Sequence, residues 1–385
     1  MPLEITPQAG YFAPEACVVD DLAKLTSQTL TPDQVPHAQQ VEQNIPLYDM
    51  AQLEEAVQSP ALKSEWAWAL AEGPGVVVLR NGFADTTVLD QATDQYEAII
   101  AEEKEAGGGG GDHFAKAGAN DRVWNSLQKL CLRAPGVFAR YFSNVAIAAI
   151  SEAWLGPNYQ MTAQVNLVRP GGAAQQAHRD YHLGFLTTAE AAQFPAHVHD
   201  LSPTLTLQGA VAHTDMPIDS GPTKLLPFSQ RYRPGYVAFA RPDFRAFFEE
   251  HHVQLPLRKG DLLFFNPAVF HAAGENRTRD VMRLANLLQV GSAFGRSIEA
   301  IDRRAMCQAL YPVLRDTAQN AAEQAALIGA TAEGYAFPTN LDTDPPQGGL
   351  APESQAALLR RALRDRWADA DFNTALDALA HRQRA

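Results

Sequence analysis

Cysteine is scarce in this 385-residue chain: Cys17, Cys131 and Cys307 are the whole supply, an odd number without close spacing. That excludes a disulfide framework and a thiolate metal centre, and leaves each thiol as a small buried hydrophobe. No run of about eighteen apolar residues occurs, so no membrane-spanning helix is expected. The opening Met1-Pro2-Leu3-Glu4 lacks the basic region and apolar core of a secretory signal, which favours a cytoplasmic protein. Basic residues are outnumbered, 31 Lys and Arg against 44 Asp and Glu, and the net charge of -13 disfavours nucleic acid and anionic membranes as partners. Repeats and a helical zinc-protease motif are also missing. The five glycines Gly107 to Gly111 lack the Lys-Ser/Thr of a nucleotide loop.

What is present suits a soluble globular protein, with 46% hydrophobic and 19% charged residues in a chain long enough for one large core carrying helical additions. Residues 1–65 read as a Pro-containing N-terminal extension with short helices from Ser27 and over Met50 to Val57. Such a segment can wrap the core or contribute to a subunit interface, so a homodimer is allowed. Gly75 to Arg80 reads as a buried strand and Thr86 to Glu105 as a helix. The glycine run is then a flexible surface loop or, alternatively, a hinge for a segment that closes over a site, with Asp112 to Trp124 mixing aromatic and charged residues as a lid would. Pro135 to Trp154 reads as a helix. Strands follow at Met161 to Arg169, Thr204 to Ala212, Gln254 to Leu257, Leu262 to Phe265 and Val281 to Gln289. This pattern predicts an α+β fold with a double-stranded β-helix core, a cupin-like jelly roll, over residues 66–296. Residues 297–385 form a helical C-terminal extension, with helical patterns at Ile298 to Ile328 and Pro352 to Trp367 around the connector Phe337 to Gly349.

Chemistry concentrates at His178, Asp180 and His271. On a strand, His178 and Asp180 project to one face and Arg179 to the other. Two imidazoles and one carboxylate on one side of an ion leave positions open, the arrangement by which non-haem Fe(II) oxygenases bind a co-substrate and O₂. A second His-x-Asp triplet, His213-Thr214-Asp215, competes, and His213 reads instead as structural or barrel-facing. Arg283 lies twelve residues after His271 in an apolar strand, where a guanidinium needs an anionic partner; a small dicarboxylate supplies one. Arg277 and Arg279 fall in the polar turn before it and read as solvent-exposed. Gln164, Asn166 and Thr223 are candidates for hydrogen bonds to co-substrate or substrate, and His182 for a substrate contact.

These residues resemble the phytanoyl-CoA dioxygenase family of Fe(II)/2-oxoglutarate oxygenases, whose pattern is His-x-Asp, a distal His, and an Arg about a dozen residues beyond. The resemblance runs in family order from Gly75 to Gly295. It takes in Gly75 to Arg80, Asn166 to Gly172, Ser220-Gly221-Pro222-Thr223 through Gln230, and Gly260 to Phe265. Phe228 and Gln230 depart from it, standing where the family usually has Gly and His. The resemblance implies Fe(II) on His178, Asp180 and His271, 2-oxoglutarate paired through its distal carboxylate with Arg283, and O₂ as oxidant. It also implies hydroxylation of a small-molecule metabolite or natural-product intermediate, with release of succinate and CO₂. Asp180 blocks the chloride site that related halogenases open by replacing this ligand with a small residue. Two other readings remain: a Zn-dependent hydrolase, which has no use for Arg283, and a non-catalytic jelly-roll binding protein.

Overall fold

A computed structural model describes residues 10–107 and 120–384. These fall into two compact units interleaved along the chain, one formed by residues 10–84, 120–122 and 166–287, the other by 85–107, 123–165 and 288–384. Gly108 to Gly111, and the lid-like stretch as far as residue 119, lie outside the described residues.

Among the described residues ten strands form, in chain order: β1 Gln40–Glu42, β2 Ile45–Asp49, β3 Val76–Arg80, β4 Asn120–Val123, β5 Gln160–Val168, β6 Thr206–Ala212, β7 Lys224–Leu226, β8 Leu262–Phe265, β9 Phe270–Ala272 and β10 Arg283–Gly291. Eight make a major sheet in the order β1-β2-β3-β8-β6-β10-β5-β4, and β7 pairs with β9 in a minor one. The β1–β2 hairpin turns on Gln43 and Asn44, both at positive φ, the geometry a two-residue hairpin loop demands. Single bridges widen the minor sheet, joining Val253 to Leu225 on one flank and His178 to His271 on the other. The two sheets are the two faces of a double-stranded β-helix flanked by helices.

Period-two alternation decides what each face carries. Leu225 of the minor sheet packs inward with Val76, Val78, Leu263, Phe265 and Val269 to fill the space between the sheets. Its neighbours Ala177, Leu226, Phe270 and Ala272 face outward onto Leu22, Val237, Phe244 and Phe248 from the covering helices Val19–Thr26, Gly235–Ala238 and Pro242–His251. His178 and His271, one residue on from outward-facing Ala177 and Phe270, are thereby turned inward.

Several predicted elements are shorter or divided. The apolar run from Pro135 forms two helices, Pro135–Phe142 and Val145–Leu155, because Asn144 leaves the helical conformation and its side chain caps the second by accepting from the Ile147 N–H. Ile298 to Ile328 likewise holds two helices, Arg303–Asp316 and Ala321–Thr331, each started by its own cap, Asp302 and Asn320. Gln254 to Leu257 contains Pro256, which offers no N–H to a ladder, and the segment forms isolated bridges at Val253 and Leu257 instead of a strand. The first helix spans Val19–Thr26 and stops at Ser27 instead of starting there, and Met50 to Val57 is a series of turns. In the second unit the helix Arg303–Asp316 is the hub, packing on Ser126–Arg133, Pro135–Phe142, Gln355–Arg364 and Asp369–Arg382. All three cysteines are buried free thiols. No helix among the described residues is long and apolar enough to cross a membrane.

Candidate active site

His178, Asp180 and His271 converge, each offering a ligand atom within 4.8 Å of the others. The backbone brings them together. His178 and His271 exchange two backbone hydrogen bonds, 3.0 and 3.1 Å, and the Asp180 N–H donates to the Pro267 carbonyl at 3.0 Å. The Asp180 carboxylate reaches both rings, with Oδ1 3.8 Å from His178 Nε2 and Oδ2 3.5 Å from His271 Nε2.

Each imidazole is oriented in the same way. His178 Nδ1 lies 2.8 Å from the Gln176 carbonyl and His271 Nδ1 lies 2.9 Å from the Val269 carbonyl. A carbonyl can only accept, so both Nδ1 atoms carry the proton and both Nε2 lone pairs are free for an ion. The Phe265 ring, 4.7 Å from that of His271, fixes the plane of the distal ligand. Burial, with repulsion from His271, holds the His178 imidazole below its ordinary value and hence neutral. For Asp180 burial acts upward, but His178, His271 and the Gln208 amide outweigh it and keep the carboxyl well below the usual carboxylate range. Metal binding requires an ionised carboxylate, and Asp180 supplies one. Two imidazoles and one carboxylate are a donor set that fits Fe(II).

Two contacts at this centre have no signature in the sequence. Gln208, on β6 directly across from Phe265, donates from Nε2 to Asp180 Oδ2 at 2.5 Å, which leaves Oδ1 as the freer ligand atom. The Tyr236 hydroxyl donates to the Asp180 carbonyl at 2.8 Å. Nothing in the spacing of a lone Gln in an apolar strand, or of a Tyr in a short helix, marks either.

Arg283 opens β10 and is 7% exposed. Its Nη1 donates to the carbonyls of Ser220, at 2.9 Å, and Gly274, at 3.3 Å, and no carboxylate pairs with it among the described residues. Those carbonyls meet because two glycines touch. A Cβ on Gly221, which sits at φ +72°, would stand 2.3 Å from the Glu275 oxygen, and one on Gly274 would stand 2.8 Å from the Gly221 Cα. Burial pushes the guanidinium down to about 10, so it remains a cation at neutral pH. A desolvated cation bonded to neutral carbonyls can accept a carboxylate.

The other predicted residues are placed as follows. Asn166 lies on β5, with Oδ1 buried and unpartnered. Thr223 precedes β7, three residues after the Ser220 carbonyl that Arg283 holds. Gln164 is buried on β5 in the second unit, beside the Glu299 carboxyl. His182 lies two residues past Asp180 at φ +36°, with Nε2 buried and unpartnered. His213 is buried at the end of β6 and Asp215 accepts from the Lys259 N–H, so the second triplet joins no metal-ligating group among the described residues. Arg277 is exposed and paired with Asp219.

Comparison with known proteins gives a family match. Residues 71–285, more than half of the chain, match the family model of Phytanoyl-CoA dioxygenase (PhyH). The chain is 25% identical over 228 residues to Dioxygenase trt7 of Aspergillus terreus (strain NIH 2624 / FGSC A1156), covering 58% of this chain and 72% of that protein. Among solved structures it is similar to the non-heme alpha ketoglutarate dependent epimerase SnoN from nogalamycin biosynthesis, at 22% identity and a TM-score of 0.42, over 61% of this chain and 82% of that one. It is also similar to the carbocyclase SnoK from nogalamycin biosynthesis, at 19% identity and a TM-score of 0.42, over 59% and 83% of the two chains.

Proposed function

The chain belongs to the phytanoyl-CoA dioxygenase family, whose cofactors are Fe(II) and 2-oxoglutarate, and from that membership we propose that it hydroxylates a small-molecule metabolite or natural-product intermediate. In this reading His178, Asp180 and His271 hold the iron, and Arg283 receives the distal carboxylate of 2-oxoglutarate. Asn166, Thr223 and Gln164 are assigned hydrogen bonds to co-substrate or substrate. The chemistry is assigned to the segment 66–296.

One observation carries the reading: two imidazoles whose Nδ1–H groups are engaged by carbonyls turn their Nε2 atoms toward one carboxylate, in a fold that also buries a cation without a counter-ion. When bound, Fe(II) with 2-oxoglutarate and O₂ supplies a two-electron oxidation, one oxygen atom entering a substrate C–H bond and the other entering succinate as CO₂ leaves. The protein's own part is to hold donors and co-substrate in place and keep water out. Of Arg231, Arg233, Arg241 and Arg245, the nearest approach to a cluster suited to the phosphates of coenzyme A, Arg233 and Arg241 are neutralised by Asp200 and Asp243 and Arg231 donates to the Gln28 amide. That favours a substrate without a polyphosphate.

Anaerobic titration of the Fe(II)-loaded protein with 2-oxoglutarate tests the proposal. A saturable visible charge-transfer band, lost in His271→Ala, is the expected result. Bound iron without such a band would overturn it and return the chain to a hydrolytic or binding role.

A further inference from the structure

Arg179 lies between His178 and Asp180 in the chain. Its side chain leaves on the face opposite His178 and Asp180 and is 1% exposed. Nη2 donates to the carbonyls of Ser229 and Tyr232, the latter at 2.8 Å. The guanidinium carbon lies 4.8 Å from the Phe270 ring centre and 5.3 Å from that of Tyr236, while Nε is buried without a partner. No carboxylate pairs with it among the described residues, and burial pushes it down to about 10. The fold makes room for it: a Cβ on Gly235 would stand 2.0 Å from the guanidinium carbon. For stability alone, an apolar side chain of the same volume serves such a place as well or better.

What the cation does touch is the backing of both ligand-bearing segments. Phe270 immediately precedes His271, and its N–H donates to the Ser229 hydroxyl at 2.8 Å, in the same residue whose carbonyl Arg179 holds. The Tyr236 ring that lies over the guanidinium carries the hydroxyl that donates to the Asp180 carbonyl. From behind the minor sheet, one side chain is thus linked to the backbone of the His178–Asp180 segment and to that of β9. We propose that Arg179 is a positioning residue for the metal centre, setting the separation and orientation of the two ligand-bearing segments, and so the affinity and coordination geometry of the ion, without touching it. The inference rests on the assignment of the triad to Fe(II).

The test uses the full chain with Fe(II) alone under anaerobic conditions, and Co(II) as an absorbing stand-in that reports coordination geometry. Arg179→Met keeps length and removes charge. It is expected to fold with a Tm at or above the wild-type value, to bind Fe(II) roughly 10- to 100-fold more weakly, and to shift the Co(II) ligand-field bands. Tyr236→Phe, which deletes only the hydroxyl, is expected to weaken Fe(II) binding several-fold, and Arg179→Lys to recover part of the loss because charge returns without the planar fork. Wild-type Fe(II) affinity and Co(II) spectrum in a folded Arg179→Met would overturn the proposal. Should that variant fail to fold, wild-type affinity in both Arg179→Lys and Tyr236→Phe would overturn it equally. The underlying assignment fails separately, and visibly, if the wild-type chain binds no Fe(II) or if His271→Ala binds it normally.

Discussion

Replacing Arg283 by Met separates binding from stability. The guanidinium is 7% exposed, so a carboxylate meeting it is poorly screened, and deleting one partner of a buried hydrogen-bonded pair costs about 3–5 kcal/mol. Taking about 3–4 kcal/mol, the Kd for 2-oxoglutarate rises roughly 10²- to 10³-fold. Folding stability moves much less. The Ser220 and Gly274 carbonyls each lose a hydrogen bond, worth about 0.5–1.5 kcal/mol apiece, while a desolvated cation with no counter-ion disappears, which favours the folded state by a comparable amount. Tm should therefore stay close to the wild-type value as the charge-transfer titration curve moves by two to three decades. Because the wild-type group titrates at about 10, its contribution to affinity should be flat between pH 6 and 8. Arg283→Lys, which keeps charge and loses the fork, should fall between the two. Unchanged 2-oxoglutarate affinity in Arg283→Met would refute the assignment.

Gln208→Leu removes the hydrogen bond that occupies Asp180 Oδ2 and should weaken Fe(II) binding roughly 10- to 100-fold in a folded protein; an unchanged Fe(II) Kd would contradict the role. His199 is buried with its ring edge-on to Phe12, and burial holds its imidazole below the ordinary value. Its folded form resists a proton that the unfolded chain accepts, so its contribution is intact above about pH 6.5 and is lost as pH falls through the folded value. His199→Phe should flatten the acid limb of a urea-stability profile, and an unaltered limb would exclude that source. Phe228 holds φ +67° yet packs against Leu30, Val35 and Trp68, so Phe228→Gly relieves about 1 kcal/mol of backbone strain and forfeits about 3–5 kcal/mol of burial. Net destabilisation by urea titration is expected, and a more stable variant would refute the balance.

The convergence of His178, Asp180 and His271 was legible in part: alternation puts His178 and Asp180 on one face although only an isolated bridge forms there, and the apolar residues around His271 mark the strand β9. The burial of Arg283 was legible from its place in an apolar strand, whereas the two carbonyls that hold it were not. Gln208 was not, since its partner lies 28 residues away and sequence spacing carries no register between strands. Arg179 was half legible, its outward direction given by alternation and its partners given only by the packing of residues 229 to 236. Helix ends failed where side-chain caps override apolar continuity, as at Asn144 and Asn320.

Phe228 and Gln230 show how a departure from the family pattern acquires a physical cause. Phe228 occupies a left-handed position that suits Gly, and its side chain is buried with Leu30 and Val35 of the N-terminal extension, with Trp68 alongside. Gln230 then turns its amide to the carbonyls of Ala71 and Gly73 at the end of the helix Pro60–Ala71. Both side chains are committed to holding residues that precede β3. The turn between His178 and His271 is thus an attachment point for the N-terminal segment, which belongs to the same compact unit as His178, Asp180 and His271.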